Sequence, residues 1–258
     1  ISKEIEGAIC DTRFTPTLNL NGIFDLVNNN LELQIKLQLM MEEIMNNLIN
    51  STKGTDLENS FYLHIMPNLG RKDGKEIMKF ASKGDIGSTD IQFILNGAIK
   101  ESGLIFLLNN YIQKKTGNYP FGKDFNVRNA PKKIDELISL CLKKIPMSEM
   151  PLLIGVGDTV TSNQSKETKE WLRGGSDRGF LTLIQELGKA YKKNNQTIFV
   201  NSCNDQVFRP KASYESMKGI IDKEDPLQIN CIISGGPNEY VNWFKNLAET
   251  RYKIKNNR

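Results

Sequence analysis

The hydrophobic pattern is clearest between Leu31 and Asn50. Leu33, Leu37, Met41, Ile44 and Leu48 recur at helical spacing and predict one long amphipathic helix, with Met40, Met41 and Met45 as core filler. Ser51 to Asn59 is a polar connection. "SFYLHIMP" (60–67) reads as a strand closed by Pro67, "NLGRKDG" as a turn, and Lys75 to Ala81 as a short helix. In "TDIQFIL" (89–95), Ile91, Phe93 and Leu95 alternate with polar residues, which is the period of a half-exposed strand.

After Gly97 the texture changes. Leu104, Leu107, Leu108, Tyr111 and Ile112 predict a helix, and Ile134, Leu137, Ile138, Cys141 and Leu142 another, with a Pro/Gly-containing excursion (116–131) between them. Residues 151–157 form a continuous apolar run, as expected for a strand covered on both faces in a parallel sheet. A helix (Phe180, Leu183, Ile184, Leu187), a strand "TIFVN" (197–201), a loop, a strand "LQINCII" (227–233) and a last helix (Tyr240, Trp243, Phe244, Leu247) complete the chain. Strand–helix alternation from about residue 97 predicts an open α/β sheet, preceded by a separate α+β lobe.

The 258 residues are enough for one large domain or two small ones with a proper core. A hydrophobic fraction of 39%, a charged fraction of 25% and a mean hydropathy of −0.41 place the chain among ordinary globular proteins. No apolar run approaches the ~18 residues of a membrane span. The net charge of +4, from 34 Lys+Arg against 30 Asp+Glu, is too slight and dispersed to point to nucleic acid. The four cysteines (Cys10, Cys141, Cys203, Cys231) lack metal-site spacing, and His64 is the single histidine, so zinc is not expected. Cys141 and Cys231 lie among apolar residues and read as buried thiols of a reducing, cytoplasmic compartment. The chain opens Ile1-Ser2-Lys3 without initiator methionine or signal peptide, and is expected to be the C-terminal part of a longer product.

The chemistry centres on Gly155-Val156-Gly157-Asp158. A dinucleotide fingerprint needs a third glycine opening a helix, and a P-loop needs Gly-Lys-Ser/Thr; neither follows here. Asp158 would also repel a pyrophosphate. In an open parallel sheet, ligands bind beyond the carboxyl ends of the strands, which puts Asp158 at a site edge as a hard oxygen donor suited to Mg²⁺. A solvated turn is the plain alternative for this stretch. Asp177, in "RGGSDRGF", lies after a second glycine turn and before a helix, where Ser176 or Asp177 could equally be an ordinary cap. Lys100 stands where a loop gives way to a helix and would bring a compact cation to a phosphoryl oxygen. His64, Asn68 and Arg71 are candidates for binding a hydroxyl or phosphate, set against ordinary packing or surface roles.

Lys100, Asp158 and Asp177, in this order on an α/β scaffold, resemble the C-terminal half of a haloacid-dehalogenase-type phosphatase. The strings "FYLHIMPNLGR", "GSTDIQFILNGAIKESG", "TGNYPFG", "IGVGDTVTS" and "RGGSDRGFLTLIQELG" are similar to those of the glucosylglycerol-phosphate (salt-tolerance) phosphatases. The resemblance implies a Rossmannoid open parallel sheet core at 97–258, preceded by an α+β cap domain over most of 1–96. It implies a Mg²⁺-dependent phosphatase that releases phosphate from glucosylglycerol 3-phosphate in osmolyte synthesis. Lys100 would steady the phosphate, Asp158 and Asp177 would hold the metal, and His64, Asn68, Arg71 and Ser176 would be substrate-binding. The superfamily's Asp-x-Asp-Gly nucleophile motif is absent from the sequence, and Asp11 in "ICDTRF" does not replace it. The resemblance therefore implies a missing N-terminal core segment, without which aspartyl-phosphate chemistry cannot run. A non-catalytic binding module and a phosphatase for another sugar phosphate remain the alternatives.

Overall fold

The computed structural model describes residues 8–10, 15–27, 29–72, 75–165, 168–202, 217 and 219–256. In chain order the elements are β1 (Ile9–Cys10), β2 (Thr17–Asn19), α1 (Asn21–Leu26), α2 (Leu31–Thr52), β3 (Phe61–Met66), β4 (Asn68–Lys72), β5 (Lys75–Met78) and β6 (Asp90–Leu95). There follow α3 (Lys100–Thr116), α4 (Ile134–Lys144), β7 (Ile154–Gly157), β8 (Thr161–Gln164), β9 (Trp171–Gly174), α5 (Arg178–Tyr191), β10 (Gln196–Val200), β11 (Cys231–Ile233) and α6 (Pro237–Asn256).

The first part is built on an antiparallel sheet of order β1-β2-β6-β3. β3 and β6 pair over their full length, so that Leu63 lies opposite Phe93, His64 opposite Gln92, and Ile65 opposite Ile91. Alternation sends Leu63, Ile65 and Ile91 into a core with Phe24, Met41 and Met78. Tyr62, His64, Met66, Gln92 and Ile94 then belong to the other face.

The predicted helix of 31–50 is present as α2, capped by the Asn30 side chain accepting from the Leu33 amide at 3.1 Å. Its inward face differs from the apolar stripe, however. Leu33 and Ile44 are 41% and 49% exposed, while Gln34 and Gln38 are buried. The reason is the irregular segment between β5 and β6, whose buried backbone needs partners. Gln38 supplies them: its Nε2 donates to the carbonyls of Ile86 (2.9 Å) and Ser88 (3.0 Å), and its Oε1 accepts from the Ala81 amide (2.7 Å).

Instead of the turn expected at 68–74 and the helix expected at Lys75–Ala81, the described residues Asn68–Lys72 and Lys75–Met78 pair as antiparallel strands β4 and β5, with Arg71 opposite Glu76. Four residues of pattern do not distinguish helix from strand, and tertiary bonding decides. The Glu76 carboxylate accepts from the Ile65 amide at 2.7 Å and so ties β5 to β3.

The second part is α/β, as the alternation predicts. Its parallel sheet has the order β11-β10-β7. Leu181, Leu183, Ile184, Leu187 and Tyr191 of α5 are essentially inaccessible to solvent and join the clusters around it. Two expectations need correction. β7 is an edge strand among the described strands, with Ile154 42% exposed, so its apolar run is not covered on both faces. The polar insert at 162–172 contains a second hairpin, β8–β9.

Cys141 is buried and its thiol is pushed up to about 12 by burial, whereas Cys231 is only partly buried. Cys203 and the side chain of Cys10 lie outside the described residues. Among the described residues, no helix is long and apolar enough to cross a membrane.

Candidate functional site

Three chain segments meet at Asp177. This residue precedes α5, is 3% exposed, and sits where the second glycine turn ends. One carboxylate oxygen, Oδ1, takes the ammonium of Lys100 from the first residue of α3, and Ser176 Oγ lies 3.5 Å from the same ammonium. The other, Oδ2, accepts from the backbone amides of Asp158 and Thr159, both at 2.9 Å. Burial works to raise the Asp177 pKa. The charge and hydrogen bond of Lys100, with the two amides, outweigh it and hold the carboxyl below its ordinary value.

Gly157 makes this meeting possible. A Cβ there would lie 2.7 Å from Asp177 Cβ and 2.9 Å from its Cγ, so the glycine of "GVGD" is the slot into which Asp177 fits. Asp158, one residue past β7, is partly exposed and accepts at Oδ1 from Thr159 Oγ1 at 3.0 Å.

Asp158, Lys100 and Ser176 line a cavity of about 980 Å³. The outward face of the β3–β6 pair lines the same cavity through Tyr62, His64 and Gln92. The two sheets are brought together by backbone contact between hairpins. A Cβ on Gly174 of β9 would fall 2.3 Å from the Gly70 nitrogen of β4, and Thr161 Oγ1 donates to the Asn68 carbonyl at 2.8 Å.

The other candidates separate by what they touch. His64 is 8% exposed, and its Nδ1 lies 2.9 and 3.0 Å from the two oxygens of Glu76. Asn68 is buried and engaged with protein: Nδ2 donates to the Ile65 carbonyl (3.0 Å) and to Glu76 (3.2 Å), and Oδ1 accepts from Gly70 N (2.9 Å). Arg71 lies on β4 with its side chain outside the described part of the molecule.

Sequence reading missed two arginine clamps that flank the glycine turn. Arg173 donates Nε and Nη2 to Asp222 at 2.9 and 2.8 Å, and Arg178 donates Nη1 and Nη2 to Asp225, both at 2.8 Å. Hydrogen bonding from Arg173 is the main reason the Asp222 carboxyl is held far below the usual range. Two arginines five residues apart around Gly174-Gly175 were the available signal, but their acidic partners lie about fifty residues on.

Among the described residues, no three His, Cys, Asp or Glu side chains gather to hold a metal. Asp158 and Asp177 offer hard oxygen donors in the number Mg²⁺ takes from protein, its other positions going to water and phosphate. The donor set fits in kind. Asp177, however, already spends both oxygens on Lys100 and two amides.

No solved structure matches the chain. A curated relative, the glucosylglycerol-phosphate phosphatase of Synechocystis sp., is 40% identical over 259 residues, covering 96% of this chain. The chain spans 61% of that relative's length. The family described as glucosylglycerol-phosphate phosphatase matches residues 1–248, and the chain belongs to that family.

Proposed function

We propose that the cavity is the phosphate-ester site of a phosphatase that acts on glucosylglycerol phosphate, releasing glucosylglycerol and inorganic phosphate. The observation that carries this reading is the Lys100–Asp177 pair set beside Asp158 at the carboxyl end of β7, with Lys100 and Asp158 lining the cavity. A cation and carboxylates at a strand's carboxyl end suit phosphoryl chemistry. The substrate class comes from the relative, whose name states glucosylglycerol phosphate.

In this reading Lys100 is the catalytic cation. Half-exposed and fixed by Asp177, it presents its charge to a phosphoryl oxygen with little reorganisation. Ser176, beside it, orients the phosphate. Asp158 and Asp177 would hold Mg²⁺, which when bound supplies Lewis-acid neutralisation of phosphoryl charge. His64 and Arg71 bind the organic part of the ester, and Asn68 holds the wall in shape. Residues 1–96 act as a cap over a haloacid-dehalogenase-like core formed by 97–258. The sequence holds no Asp-x-Asp-Gly, so the attacking carboxylate comes from outside these residues.

The test is phosphate release by the full-length protein over a panel of sugar phosphates. Glucosylglycerol phosphate is expected to give the highest kcat/KM. A stronger preference for another sugar phosphate would overturn the substrate, and no release from any would overturn the activity.

A further inference from the structure

One buried polar atom on the cavity wall is left over by the contacts described above. His64 Nε2 is shielded from solvent and has no hydrogen-bond partner among the described residues. Its ring is not loosely placed. Nδ1 is bracketed by both oxygens of Glu76, whose carboxylate also accepts from the Ile65 amide and from Asn68 Nδ2. A carboxylate only accepts, so Nδ1 carries a proton in either charge state of the ring, and Nε2 is the position left for a ligand. Leaving a buried polar atom unpaired is costly, and a ligand group that pairs with it recovers that cost on binding.

The surroundings favour a hydroxyl. His64 stands opposite Gln92 on the neighbouring strand, and Tyr62 lies two residues away on the same face, so one wall combines a ring with two side-chain hydrogen-bonding groups. A hydroxyl both donates and accepts, so it pairs with Nε2 whether the ring is neutral or charged, and with either end of the Gln92 amide.

We infer that Glu76 is a positioning residue which fixes the His64 ring so that Nε2 reads a hydroxyl of the ester's organic group. The site thereby selects polyhydroxylated phosphate esters over simple ones. This rests on the phosphatase reading above and adds to it a residue, a direction of recognition and a basis for selectivity.

Two measurements test it. In the full-length protein, Glu76→Gln and His64→Ala are each compared with wild type on glucosylglycerol phosphate and on p-nitrophenyl phosphate, which has no sugar hydroxyls. The expected result is a ten- to hundredfold fall in the preference for the hydroxylated ester, carried mainly by KM. Equal losses on both substrates would overturn the inference. If wild type turns over neither ester, the phosphatase reading fails, and ¹⁵N spectra of the imidazole then decide alone. They should show the Nδ1–H form and a shift of the Nε2 signal on adding millimolar glucosylglycerol. An unmoved Nε2 signal would overturn the inference without reference to folding of any variant.

Discussion

Asp177 occupies the space in which a side chain at Gly157 would lie, twenty residues earlier in the sequence and on a neighbouring element. Gly157→Ala must therefore displace Asp177, and with it the contacts to Lys100 and to the amides of Asp158 and Thr159. A destabilisation of about 1–3 kcal/mol is expected, read from the midpoint of urea unfolding. An unchanged midpoint would mean that the turn relaxes freely and that the slot is not tight.

The same carboxylate sets an acid limit. A group whose pKa is lowered on folding contributes stability above its unfolded value, about 3.9, and loses that contribution as pH falls through the folded value. Lys100→Met removes the largest influence holding Asp177 down and leaves burial to raise it. Acid unfolding of the variant is therefore expected to begin at higher pH. The Lys100 side chain is 52% exposed, so added salt should narrow the gap between variant and wild type. Coincident acid limbs would remove Lys100 from this role.

The two arginine clamps should differ in weight. Both carboxylates are buried, Asp225 at 0% and Asp222 at 1% side-chain exposure, but Arg178 is 13% exposed and also donates to the Thr161 and Ile220 carbonyls, while Arg173 is 27% exposed. Arg178→Met strands a buried charge and is expected to cost about 3–5 kcal/mol. Arg173→Met should cost less. Chemical denaturation of the two variants side by side checks the order, and a reversed order would show that burial is not what sets their worth.

Much of the site was legible in the sequence, because each of its members stands at a change of pattern. Lys100 begins a helix after a glycine-containing loop, Asp158 ends an apolar run, and Asp177 precedes an amphipathic stretch. What joins them was not legible. The Lys100–Asp177 pair spans 77 positions, and no local period encodes a contact of that range. The β4–β5 hairpin failed for the opposite reason, being too short to carry a period at all. Gln38 shows a third limit. A polar residue on an apolar helix looks outward until the irregular backbone that needs its amide is known.

Asp90 carries a stability cost that grows with pH. It is 3% exposed, its Oδ1 has no partner among the described residues, and burial pushes its carboxyl up to about 7. Between about 3.9 and 7 the folded state holds the proton that the unfolded chain has lost, so this contribution favours folding at low pH and fades as pH rises. Asp90→Asn, which does not ionise, should flatten that slope and gain up to about 4 kcal/mol above pH 7 relative to the ionised residue. Urea unfolding near pH 5 and near pH 8 checks it. Parallel pH dependence in the two proteins would contradict the burial account.

The proposed phosphatase site places Asp158 at its working end. It is tested most directly by phosphate release from glucosylglycerol phosphate across a Mg²⁺ titration, with full-length wild type against Asp158→Asn. The account expects wild-type turnover to rise with Mg²⁺ and the variant to lose roughly a hundredfold or more in kcat/KM, with a weakened response to the metal. Equal Mg²⁺-dependent turnover in both proteins would contradict it.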